Sequence, residues 1–318
     1  MATAYETEYG TEYKRRSRPK RRRRRGRGFL RLLLLAVLVL AAYKLTDGFD
    51  FLRNVSSAPM ENIETNFAID LGDLEAKLAA LGGAYVPGDA DVAKLRDIAA
   101  ENHKYADKID FLLEHIGAYS REAVNTVIMS PEKLDFVLLS PLADSMGVGG
   151  AAITAKRGEV PYLVQYDSRW AFHEYGSSCM GYTACGPTCL SMAAIGLTGN
   201  AEYTPAYISD FSEANGYYVD GTGTAWSLFT DGAAELGLNG RAIGTDKRSM
   251  NAALSDGAVL IASVSAGDFT MGGHLIVIHA GDFRGYRVYD PSSIVRSDRL
   301  WSYDKLSPQI AQLWAISA

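Results

Sequence analysis

The chain has 318 residues, 47% of them hydrophobic, and a formal net charge of −5. That apolar fraction excludes a wholly disordered chain, and 3 cysteines are too few for a disulfide-dense scaffold. The charge is unevenly placed: residues 1–31 hold 12 Lys and Arg against 3 Glu, so residues 32–318 carry a net −14, and an acidic body argues against nucleic-acid binding.

The first predicted element follows the basic run Lys20 to Arg25. Leu32 to Tyr43 is uninterrupted and apolar, and it extends over 29–45 if Arg31 and Lys44 snorkel at its ends. A spanning helix needs about 17–25 residues, so this is the short end of that range. Two readings fit: an uncleaved signal anchor, or a signal peptide cut near Ala41 or Ala42. The long basic region and the weak small-residue motif favour the anchor. The positive-inside rule then keeps residues 1–28 in the cytoplasm and puts the C-terminal part outside the cell.

Residues 46–72 are polar and mixed, and are expected to form a tether. Residues 73–150 read as a helical stalk or cover. Asp73 precedes Leu74, Leu78 and Leu81, and Gly82-Gly83 stops the pattern. Val92, Leu95, Ile98, Ala99, Ile109, Leu112, Leu113 and Ile116 keep helical spacing, with Gly117 at the end. Ser120 is expected to cap a short helix. Ser130-Pro131-Glu132 is expected to open another, with Leu134, Val137 and Leu138 as its apolar face. His103 and His115 lie in this stretch without a second pair, and read as solvated or packing histidines.

From about residue 158 the texture changes. A helix starts just after Cys185, and strands are expected at 258–264, 274–280, 286–289 and 312–316. Helix first and then a mostly antiparallel sheet is an α+β pattern, and 158–318 is the length of one domain.

The sharpest feature for chemistry is Ala184-Cys185-Gly186-Pro187-Thr188. It puts Cys185 at a helix N-terminus, where the helix dipole favours a thiolate. A nucleophilic cysteine also needs a base, and His274 stands 89 residues on, at the entry of an apolar strand. The base needs an orienting group, and Asp290 stands 16 residues further, at the end of another strand. The Cys185 backbone N–H and the Gln165 side chain are candidate oxyanion donors. Singly, each has a structural reading as a buried thiol, a core histidine or an Asp-Pro turn; in this order they form a Cys-His-Asp set. Cys179 and Cys189 flank Cys185 and can either pair or stay reduced. A zinc site lacks a CxxC pair and a second histidine at metal spacing, so no metal and no cofactor are expected. His279 lies an odd number of residues beyond His274, which argues against it as the base. Asp167, Arg169 and Trp170 are expected to fix an N-terminal segment to the domain.

Val160 to Trp170, Tyr175-Gly176, Ala184 to Thr188, Gly273-His274 and Asp290-Pro291 together resemble the peptidase C39-like family, over residues 158–318. The resemblance implies a papain-like cysteine peptidase domain, with a helix packed on an antiparallel sheet. It implies Cys185 as nucleophile, His274 as general base and acid, Asp290 as its orienter and Gln165 in the oxyanion hole. The best-known relatives are fused to ABC transporters and cut leader peptides after a double glycine. This chain has no Walker A motif and no transporter helices, so that substrate is not carried over. Its single-anchor plan is similar to that of stand-alone surface proteins of Gram-positive bacteria. The expected activity is hydrolysis of a peptide or protein substrate outside the cell, with the membrane as partner through residues 29–45. The rival readings are an amidase or endopeptidase acting on cell-wall peptides, and a non-catalytic module binding a peptide or partner.

Overall fold

The computed structural model describes residues 63–147 and 153–318. The expected basic tail and anchor, most of the tether and the Gly/Ala-rich stretch 148–152 lie outside the described residues. Among the described residues no helix is long and apolar enough to cross a membrane.

The architecture is α+β, with helices packed on an antiparallel sheet. Helix α1 (Leu71–Leu81) starts three residues before the sequence expectation, because Asp70, not Asp73, is its cap: its carboxylate accepts from the Asp73 N–H. Gly82 ends the helix at φ 68°. The periodic stretch that follows is two helices, α2 (Asp89–Glu101) and α3 (Ala106–Glu114), broken where Asn102 turns extended and its side chain accepts from the Lys104 N–H. Ser120 caps α4 (Arg121–Met129) through the Ala123 N–H. After the turn Pro131–Lys133, α5 (Leu134–Leu139) follows.

The second half contains α6 (Cys185–Thr198), α7 (Pro205–Ala214) and α8 (Lys247–Ser255). Its six-stranded sheet is built from β1 (Asn239–Ala242), β2 (Val259–Val264), β3 (His274–Gly281), β4 (Tyr286–Tyr289), β5 (Leu300–Trp301) and β6 (Ile310–Ser317). The order is β1-β6-β2-β3-β4-β5, and every neighbouring pair is antiparallel. The four strands expected from their apolar runs are present, with ends shifted by up to two residues. The runs are continuous because both faces are covered. Val259, Ile261, Leu275 and Val277 face the core shared with the helices, and Leu260, Ala262, Ile276 and Ile278 join Met250 and Ala253 of α8 on the other side.

Helices α1–α5 do not project as a stalk. Their buried residues, from Leu74 to Leu139, belong to the same core as α6 and one face of the sheet. Phe136 is the joint. It is fully buried and stacks on Phe172 (5.4 Å between centroids), meets Tyr182 edge-on (4.8 Å) and touches Phe67 (6.5 Å). Residues 63–70, expected within the tether, are docked on the domain. The Glu64 N–H donates to Asp167 Oδ2 at 2.7 Å, and the Ser168 N–H donates back to the Glu64 carbonyl at 2.6 Å. Asp167 is itself held by a two-pronged Arg169 guanidinium. The Asp167–Arg169 pair does fix an N-terminal segment, as the sequence suggests.

One shared core makes α1–α5 and the sheet unfold together. Phe136→Ala should lower stability by about 3–5 kcal/mol. Urea denaturation of the variant should keep a single transition. Two separated transitions would show that the helices are an independent unit.

Candidate active site

Three element ends converge. Cys185 is the first residue of α6, a 14-residue helix with no side-chain cap, so it stands at the positive end of the helix dipole. Gly186 is needed for a close approach: a Cβ there would stand 2.4 Å from Thr224 Oγ1. Helix α6 packs on β3. His274 opens β3, and Asp290 directly follows β4, its antiparallel neighbour, so the start of one strand meets the end of the other.

The distances follow from that register. His274 Nε2 lies 2.7 Å from Asp290 Oδ1. With Nε2 on Asp290, the other ring nitrogen, Nδ1, is not used by that bond, and Cys185 stands close enough to act on the imidazole electrostatically. Burial alone would lower the His274 pKa, but the Asp290 carboxylate and Cys185 outweigh it and push the group up to about 9. Burial would raise Asp290, but the charges of His274 and Arg296 hold its carboxyl down at about 2. The carboxylate accepts from the Ser292 N–H at 2.7 Å on Oδ1 and from Arg296 Nε at 2.5 Å on Oδ2.

Gln165 is buried in the same wall, 2% exposed, and its backbone N–H donates to the Pro291 carbonyl at 2.8 Å. One amide hydrogen of Nε2 donates to the Gly181 carbonyl at 2.9 Å, and the second is available to a substrate oxygen. Cys185, His274 and Gln165 line a cleft of about 610 Å³. One side of it is α4, with Asn125 and Thr126. The other is the loop before β3, with Phe269 and Met271. All four residues singled out from the sequence thus gather at one place, three of them on the cleft and Asp290 directly behind His274.

The remaining candidates lie elsewhere. Cys179 and Cys189 are buried free thiols, so the pairing left open by the sequence does not form. Burial raises both of their pKa values, that of Cys179 to about 11. His279 stacks on Tyr289 at 4.0 Å, and burial with the nearby Arg287 charge takes it down to about 4. In the loop before β3, Asp268 does not line the cleft; its carboxylate accepts from Gln309 Nε2 at 2.9 Å. His115 packs on Phe111 at 4.4 Å. Among the described residues no cluster of three His, Cys, Asp or Glu can hold a metal ion.

Sequence reasoning missed Arg296, Lys133 and Glu132. Arg296 donates to Asp290 and also to the Met129 carbonyl and Ser130 Oγ, both at 3.0 Å. Glu132 accepts from Ser293 Oγ at 2.5 Å.

No protein-family model matches the chain, and a search of curated proteins gives no match.

The raised His274 pKa has a stability consequence. Its contribution is complete below pH 6.5, the group's ordinary value, and is lost as pH rises through about 9. Lys133, depressed to about 8 by burial, acts in the opposite direction above that pH. The effect is therefore read as a difference between two proteins. In urea titrations the stability gap between wild type and His274→Gln should shrink from pH 6.5 to 9, and a gap that does not change would contradict the assignment.

Proposed function

We propose that this chain is a membrane-anchored cysteine peptidase with a papain-like, C39-like catalytic domain held outside the cell. The observation that carries the reading is the ordered set at the cleft: Cys185 on a helix N-terminus, lining one cleft with His274, which is bonded at 2.7 Å to the buried Asp290. Supporting it are Gln165 with an amide hydrogen to spare and a cleft bounded on two sides. The apolar segment 29–45 behind a basic tail supports the anchored, outward-facing arrangement.

The chemistry starts from a Cys185 thiolate beside a His274 imidazolium. The sulfur attacks the carbonyl carbon of a peptide bond, and the oxygen takes the developing negative charge. The Cys185 backbone N–H and the Gln165 amide stabilise that oxyanion. The C–N bond breaks as His274 gives its Nδ1 proton to the leaving amine, which leaves a thioester on Cys185. A water then gives a proton to His274 and its oxygen attacks the thioester. The C–S bond breaks, the acid product leaves, and the thiolate–imidazolium pair is restored. Asp290 keeps Nε2 protonated throughout and holds the ring so that Nδ1 faces the sulfur. No step needs a cofactor.

The test is a peptide library and purified peptidoglycan, each incubated with the full chain and read by mass spectrometry. Peptide cleavage should vanish in Cys185→Ala and His274→Ala, and fall roughly 10²–10³-fold in Gln165→Ala. Iodoacetamide should label Cys185 faster than an ordinary thiol at mildly acidic pH. Release of muropeptides without peptide cleavage would move the substrate to cell-wall peptides. Ordinary labelling with no cleavage of either would leave a binding module.

A further inference from the structure

Lys133 is a buried cation that the proposed chemistry does not use. It is 2% exposed and belongs to the turn between α4 and α5, far from the triad in sequence. Its ammonium lies over the rings of Phe136 and Tyr166, 5.7 and 5.3 Å from their centroids. Burying an unneutralised ammonium is unfavourable by several kcal/mol. An apolar residue of equal length would fill that space, so what the ammonium adds is its N–H donors.

Two of those donors are directed at the catalytic half. Nζ donates to the Gly181 carbonyl at 2.9 Å and to Ser292 Oγ at 3.1 Å. Each acceptor belongs to a residue that hydrogen-bonds a member of the proposed site. The Gly181 carbonyl also accepts the Gln165 amide, which fixes where the second amide hydrogen points. The Ser292 N–H donates to Asp290 Oδ1, the oxygen that accepts from His274. Around this centre the same short segment grips the Asp290 turn again, through Glu132 to Ser293 and through Met129 and Ser130 to Arg296.

We propose that Lys133 is a positioning residue through which helices α1–α5 set the Gln165 amide, while Glu132 and Arg296 of the same clasp hold the Asp290 turn without it. The helical cover is then a working part of the catalytic unit, and lifting its 129–133 segment disarms the site. The inference rests on the peptidase reading and assigns the control of that same site.

Two small probes separate the roles. Acetylation of Cys185 by p-nitrophenyl acetate forms an S–C bond and expels nitrophenolate through an oxyanion that Gln165 must meet. Alkylation by iodoacetamide displaces iodide at a saturated carbon and passes through no such oxyanion. In the full chain, Lys133→Met should slow acetylation at least tenfold and leave alkylation within about threefold of wild type. The Lys133→Met/Gln165→Ala double variant should be no slower than the slower single variant, since both act on one amide. Lys133→Gln keeps an N–H donor and should fall between wild type and Lys133→Met. Folding is checked by near-ultraviolet circular dichroism. If Lys133→Met does not fold, Lys133→Gln carries the same double-variant test, with multiplicative effects counting against the proposal. A reactive wild type beside a Lys133→Met that acetylates within twofold of it overturns this inference alone. A wild-type Cys185 no more reactive than glutathione towards both reagents overturns the peptidase reading and this inference with it.

Discussion

The site is organised around a carboxylate that has no access to water. Asp290 is fully buried, and a buried carboxylate is tolerated only when charges and donors replace its hydration. Here it accepts from an imidazole, a backbone N–H and a guanidinium. That need explains the surroundings. His274 is kept protonated because losing its proton would leave Asp290 less compensated. Arg296 is buried because Asp290 is, and its other N–H groups must then find acceptors, which they do at Met129 and Ser130. The polar network thus spreads from the strand ends into the helical cover.

The counting of charges extends the point. Asp290 and Glu132 are carboxylates of the cluster, Arg296 is its permanent cation, and Lys133 and His274 are its titratable ones. Half-removal of this network is unfavourable, because each deletion leaves a partner charged and dry.

What the sequence discloses follows a physical pattern. Cys185, His274 and Asp290 stand where an apolar run begins or ends, so each interrupts a pattern that burial makes visible. The strands β2, β3, β4 and β6 are legible because they are apolar on both faces. Strand β1 has largely exposed residues at the sheet edge, and β5 is two residues long; neither carries a periodic signal. The break at Asn102 is hidden because helical spacing continues across it. The clasp is hidden for another reason. Arg296 and Lys133 read as ordinary surface charges, and only the fold brings residues 129–133 onto 290–296.

The most direct test of the central claim, that a buried Asp290 carboxylate keeps His274 protonated beside Cys185, is the NMR titration of the full chain labelled with 15N-histidine. His274 should stay an imidazolium through pH 8 and lose its proton only near 9, while His279 titrates near 4. In Asp290→Asn the His274 midpoint should fall below 6.5. A wild-type His274 that is neutral at pH 7, or a midpoint unmoved by Asp290→Asn, would contradict the account.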